Sequence, residues 1–567
     1  MMTRLMRRLA RDRRGAVAPT VALSLIALIA SGGIAFDYAR LAALDTELQN
    51  AADQAALAGA SQLDGQTGSL LRAAAAAKSL LANQTLFGND ACGINVETGT
   101  TTSSACSAAG TAERIYFYTT KANAEGDISP LAASAAIPAN DATYTYIKVA
   151  VVQRKARYAL TPFVGVLASN NMSAEAVAGL GSAICKTPPV MICNPNESGD
   201  PTFTSSNYVG KGLKLVSVGN GNGTWAPGNF GYLNSSGGSN GAPGLREALG
   251  WNTPPGDCIA STGVSTKPGA SVSVTDAVNT RFDIYDSNVS CTGTGICSAS
   301  INSVKDVKRA ANANGGNACK LQNSGWNLPS DYYGSSGTLP SSASVALATS
   351  VTPGVMGHPR DMCHSVSSGT AGACTSPIGD GLWDRDAYFR TNYRRSNSTY
   401  WTGGTGGGTW QNNTGLSPSV APTAANYASR YNVYKWEIAN RGLAIDGVTV
   451  LASRIVSGNG ASAETSYGLP QCSSPQGFGS GQVPGTTTPD RRRISLAVVN
   501  CTANSVNGNS TNVPVQKWIE VFLVEPSMAR AQTNAGDVYA EAISETISGA
   551  GATAGQVVRR DVPYLIK

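Results

Sequence analysis

His358 and His364 are the only two histidines in a chain of 567 residues, and they flank Arg360-Asp361-Met362-Cys363. Imidazole and carboxylate at that spacing have the composition of a small metal site or an acid–base pair. Structural hydrogen bonding beside a disulfide is the plainer role. Asp380, Asp384 and Asp386 crowd within seven residues. With Asp361 they offer hard oxygen ligands to calcium, yet EF-hand spacing is missing, and a solvated loop or ion pairs with Arg385 and Arg390 suit them better. Gly237-Gly238-Ser239-Asn240-Gly241 matches the nucleophile-elbow pattern but lies in a Gly/Ser/Asn run, without the flanking strand and helix an elbow needs. The phosphate-cradling Gly-x-x-x-x-Gly-Lys-Ser/Thr is absent, and residues 403–408 are not in dinucleotide-binding register. Trp225, Tyr232, Trp383, Tyr388, Trp401 and Trp410 are the aromatics from which a glycan-binding groove would be built; core packing is the favoured role. No catalytic, cofactor-binding or metal residue is assigned, no cofactor is expected, and the chain reads as a non-enzyme.

Twelve cysteines without a C-x-x-C motif, in a chain with two histidines, lack the ligand spacing of zinc sites. Disulfides in an oxidising compartment account for them. Sequence proximity suggests Cys92 with Cys106, Cys185 with Cys193, Cys291 with Cys297, Cys363 with Cys374 and Cys472 with Cys501, leaving Cys258 and Cys319.

What places these residues outside the cytoplasm is the N-terminus. Arg4, Arg7, Arg8, Arg11, Arg13 and Arg14 against Asp12 hold most of the formal +6 charge, so the remainder carries no nucleic-acid footprint. Residues 16–36 contain no charge, a length that spans a bilayer core of about 30 Å. The arginines hold the N-terminus inside, which makes the protein a single-pass membrane protein with the bulk of the chain exported. Cleavage of a signal peptide near Ala30-Ser31-Gly32 is the competing reading.

Beyond the span, Leu41, Leu44, Leu48, Ala51, Ala55 and Ala58 form a heptad-like seam, so one helix should continue to about residue 62, a rod of roughly 70 Å. The seam packs either on its own domain or, through Leu41, Leu44, Leu48, Ala51 and Ala55, on a partner subunit. A helix is expected over 73–87 and a loop over 92–110. Strands are expected at 115–119, 144–152 and 173–180, with a short helix at 158–167. Lys186-Thr187-Pro188-Pro189 marks a domain boundary. The remainder is rich in Gly, Ser, Thr and Asn, with strands at 211–218, 494–499, 518–524 and 538–543. The fold class is therefore α+β. A basic segment (1–15), a transmembrane helix (16–36) and a pilin-like α+β domain (37–185) precede a large β-rich, loop-rich, disulfide-stapled domain (186–567).

The run Leu48-Gln49-Asn50-Ala51-Ala52-Asp53-Gln54-Ala55-Ala56-Leu57-Ala58-Gly59-Ala60 after an arginine-flanked span resembles the N-terminal region of TadG-like Flp (tight adherence) pilus assembly proteins. Segments 188–195, 225–233, 279–285, 380–389, 494–501 and 518–526 are similar to the same family. The resemblance implies a bitopic, single-pass inner-membrane protein with its N-terminus cytoplasmic and a large periplasmic part, working with other Tad/Flp pilus assembly proteins or pseudopilins as scaffold or anchor, without catalytic residues. The alternative is an adhesin-like envelope module that contacts carbohydrate or cells. Related pseudopilins are cut after a glycine and carry glutamate at mature position five. Gly15 is present here, but that position is Thr20. The Asp-x-Ser-x-Ser metal motif of relatives with a von Willebrand type A domain is absent.

Overall fold

The structure, a computed structural model, describes residues 17–566 apart from 80–113, 155–157, 159–171, 219–224, 235–240, 330–345, 367–372, 473–480, 547–557 and shorter breaks. The expected Cys92–Cys106 disulfide, the 92–110 loop, the 158–167 helix and Ser239 lie outside the described residues. The described part divides into two units, residues 1–181 with 561–567, and residues 182–560. The larger unit is thus an insertion between the last two strands of the smaller one.

The first unit is organised by helix α1, Val17–Ala60, a single run of 44 residues and about 66 Å long. Nothing in its sequence breaks it. Pro19 falls in the first turn, where no intrahelical N–H bond is lost. Thr20 and Ser24, polar side chains in the apolar stretch, donate to their own helix at Val17 O (2.9 Å) and Thr20 O (2.7 Å), which satisfies them without solvent. Helix α2, Ser69–Ser79, follows. Asp141 caps it from a distant loop, accepting from Gly68 N at 2.6 Å and Leu70 N at 3.1 Å, where a carboxylate also meets the positive end of the helix dipole. Both helices pack on a sheet of β1 (Ile115–Tyr118), β2 (Leu131–Ala132), β3 (Tyr146–Ala150) and β4 (Glu175–Cys185), in the order β2-β1-β3-β4, with the C-terminal strand Val558–Leu565 beside β4. The core joins Leu44, Leu48, Ala52 and Ala55 of α1 to Phe117, Ile147, Val149, Ala176 and Ala178 of the sheet.

In the second unit six strands close into a barrel. They are β5 (Val190–Cys193), β6 (Gly212–Ser217), β7 (Asn229–Leu233), β8 (Arg493–Val499), β9 (Val513–Leu523) and β10 (Val538–Glu545). The order is β7-β5-β8-β9-β10-β6, and β6 pairs back to β7 in parallel through Val216↔Asn229 and Ser217↔Phe230. Closure gives each of these six strands a partner on both sides over part of its length. Period-two alternation turns Val190, Ile192, Leu213, Leu215, Leu496, Val498, Ile519 and Val521 into one core. Leu245 and Leu249 of α3 (Ala242–Gly250) pack on the same core, as do Val278 and Phe282 of the following 3-10 helix. A separate aromatic cluster surrounds α4 (Arg385–Asn392) and α5 (Arg430–Ala439).

Among the described residues four disulfides tie this unit: Cys193–Cys501, Cys291–Cys297, Cys319–Cys472 and Cys363–Cys374. The two short-range pairings match expectation. The expected Cys185–Cys193 and Cys472–Cys501 pairs are corrected, because Cys193 bonds Cys501 across 308 residues and Cys472 bonds Cys319. Parallel pairing of β5 with β8, Cys193 opposite Val499, makes residues remote in sequence into neighbours. Proximity along the chain is then the wrong guide.

Candidate functional site

Helix α1 carries two surfaces in succession. Over its first half Leu23, Ile26, Leu28 and Ile29 are all more than 60% exposed, an array of apolar side chains that water does not favour. Over its second half Leu44 and Leu48 have no exposure and Leu41 packs beside them. The seam is therefore spent on the unit's own sheet. Of the two readings of Leu41, Leu44, Leu48, Ala51 and Ala55, packing on the chain's own domain is the one seen, since Leu44, Leu48 and Ala55 are fully enclosed and Ala51 nearly so. A Cβ on Gly59 would meet Ile147 Cδ1 at 2.5 Å, so glycine is what lets the end of α1 lie against β3.

The class this defines is a protein with, among the described residues, one helix long and apolar enough to cross a membrane, continuous with the core of the unit that follows. Residues 15–62 match the family described as putative Flp pilus-assembly, TadE/G-like, which supports a role in Flp/Tad pilus assembly. No curated protein and no solved structure matches the chain.

The residues that sequence singled out for chemistry are placed as follows. His364 Nδ1 meets Tyr539 Oη at 2.8 Å and Nε2 meets Ser376 O at 3.0 Å. The cysteines beside it are joined to each other, so they offer no thiolate to a metal. His358 is fully buried, 3.5 Å from Glu437 Oε2 and 3.4 Å from Tyr388 Oη, and its Nδ1 has no partner among the described residues. Burial pulls its pKa down to about 4 against the opposing Glu437 carboxylate.

The aspartates do not converge. Asp361 accepts from Gly212 N, Gly381 N and Arg430. Asp380 accepts from Leu382 N, while Asp384 caps α4 through Ala387 N and also takes Leu347 N. Asp386 accepts from Trp410 Nε1 at 2.6 Å. Where sequence suggested ion pairs with Arg385 and Arg390, those guanidiniums donate to Ala428 O and to Val351 O and Ala348 O. Trp225, Tyr232, Trp383, Tyr388, Trp401 and Trp410 are each buried to 4% exposure or less, which removes them from any groove. They stack instead, as Phe389 does on Trp410 with ring centres 5.0 Å apart.

What sequence missed is a buried ionic network. Arg430 of α5 sits between Asp361 and Glu541, Arg360 pairs with Glu525 at 2.5 Å, and Arg530 pairs with Asp306 at 2.7 Å. Arg492 donates to Leu523 O, Val524 O and Val304 O. Arg281 and Arg491 take the carbonyls of Leu249, Gly250 and Trp251, the C-terminal end of α3, where positive charge is favoured. The signal was there in part: Glu520 and Glu541 interrupt apolar strand patterns, and Asp490-Arg491-Arg492-Arg493 opens one. Charges in such places need partners when buried.

Proposed function

We propose that the chain is a non-enzymatic, inner-membrane-anchored component of Flp pilus assembly, held with its N-terminus in the cytoplasm and presenting its two units in the periplasm as a scaffold for other Tad proteins or pseudopilins. The observation that carries this reading is the continuity of α1, whose exposed apolar half runs without a break into the core of the first unit. An anchor built this way ties the folded unit to the bilayer without a flexible linker. The arginines before the span favour the N-in orientation, and the disulfides suit an oxidising compartment. The adhesin-like alternative loses its aromatic groove to the core.

The test is genetic and biochemical. A deletion strain should lose Flp pili, and the full-length chain should restore them from an alkali-resistant membrane fraction. Residues 1–185 alone should reach the membrane without restoring pili. Restoration by a form released from the membrane would overturn the anchored-scaffold reading.

A further inference from the structure

Lys305 and Asp283 face each other in the interior of the second unit, Nζ 2.5 Å from Oδ1, with 1% and 0% of their side chains exposed. Nζ also donates to Ser303 O at 3.0 Å and lies 3.8 Å from the centre of the Trp326 ring. The other carboxylate oxygen, Oδ2, accepts two backbone N–H groups, Gln471 at 2.6 Å and Cys472 at 3.2 Å. Asp283 itself is held at φ +57, a left-handed conformation that side chains other than Gly, Asn and Asp seldom adopt. An amine, a carboxyl carbon and a pair of N–H donors are thereby fixed in one place, enclosed from water.

We propose that Lys305 and Asp283 become joined by an intramolecular amide bond. An ammonium with a carboxylate, and an amide with one water, contain the same atoms and the same net charge, so no co-reactant is required. One proton passes from Nζ to Oδ1, and the free amine attacks Cγ. The oxyanion that develops on Oδ2 is met by the N–H groups of Gln471 and Cys472, the geometry that stabilises a tetrahedral intermediate. A second Nζ proton moves to Oδ1, the Cγ–Oδ1 bond breaks, and Oδ1 departs as water; the third proton stays on the amide nitrogen beside Ser303 O.

The surroundings favour the product. Burial draws Lys305 towards its neutral, nucleophilic form; Asp283 opposes this, and Arg309 and Arg492 reinforce it. The amide also removes two charges that are costly to keep out of water. A small cleft lined by Lys305, Glu437, Tyr393, Arg454 and Tyr467 lies beside the pair. The bond would stand next to the Cys319–Cys472 disulfide, whose Cys472 N–H holds Asp283, as a staple that reducing conditions do not open.

Peptide mapping of the full-length protein purified from membranes, reduced and alkylated, tests this. The expected result is a single tryptic peptide spanning residues 282–308, closed into a loop between Asp283 and Lys305 and lighter than its linear sequence by the mass of one water, with loss of tryptic cleavage after Lys305. Lys305→Arg keeps the ion pair and should restore cleavage after position 305 and abolish both the looped peptide and the mass loss. A loss of water at Asp283 that persists in Lys305→Arg would be a cyclic imide and would overturn the proposal. So would linear peptides from the folded wild-type protein that carry both residues unmodified.

Discussion

Arg430 and Asp361 form an ion pair in which neither side chain has any exposed surface, and Glu541 completes the arrangement at 2.8 Å on the other side of the guanidinium. The pair links α5 to the segment that carries both histidines, while Glu541 brings in barrel strand β10. Two glycines make room for it: a Cβ on Gly379 would overlap Asp361 Oδ2, and one on Gly212 would overlap Tyr539 Oη. Removing one member strands a buried charge, which costs about 3–5 kcal/mol. Arg430→Met should therefore lower the stability of the full-length protein by that order in denaturant titration, and Gly379→Ala should also destabilise it. A change within experimental error in Arg430→Met would show that the network is exposed to water in solution.

Acid should weaken the second unit through His358. Its folded pKa of about 4 lies below the usual unfolded value of about 6.5, so the unfolded chain takes the proton first. Stability is complete above about pH 6.5 and falls as pH drops towards 4, by at most about 3 kcal/mol. Glu437 adds to the trend. Burial alone would raise its pKa, but His358, Tyr388 and Asn302 hold it below the ordinary carboxylate range, and that stabilisation is lost on protonation. The charges facing His358 are those of Glu437, Arg492 and Arg430. His358→Gln should flatten the slope between pH 6.5 and 4 in unfolding titrations; an unchanged slope would assign it to other groups.

Four of the six barrel strands were legible as apolar, β-branched runs, and α1 was legible from end to end, because periodicity and absence of charge are local properties. Closure of the barrel was not. It depends on β5 pairing with β8 and β10 with β6, contacts between residues more than 300 positions apart that no local pattern encodes. The same separation hides Cys193–Cys501, and Arg430–Asp361, 69 positions apart, is also beyond local pattern. Trp401 and Trp410 carry no sign in sequence of whether they line a groove or a core; their neighbours Phe389 and Tyr393 decide it.

Non-reducing peptide mapping should recover Cys193–Cys501 and Cys319–Cys472 as discrete linked peptides. Replacing Cys319 and Cys472 together by serine should cost about 2–5 kcal/mol, since each tie closes a long loop. Recovery of Cys472 linked to Cys501 would contradict the barrel register at its open end.

The two halves of α1 should respond differently to truncation. Leu48→Ala opens a cavity against the sheet and should cost about 2–5 kcal/mol, seen as faster amide exchange over residues 41–60. Leu25→Ala, on the exposed half, should leave that exchange unchanged. Equal effects would mean that the first half is also packed within the protein.

The most direct test of the anchored-scaffold account is protease treatment of intact spheroplasts carrying epitopes at both ends of the chain. The account predicts that the C-terminal epitope and residues 37–567 are digested, while a short membrane-embedded fragment keeps the N-terminal epitope. Full protection of the C-terminal epitope, or its appearance in the soluble periplasmic fraction without the N-terminal one, would contradict it.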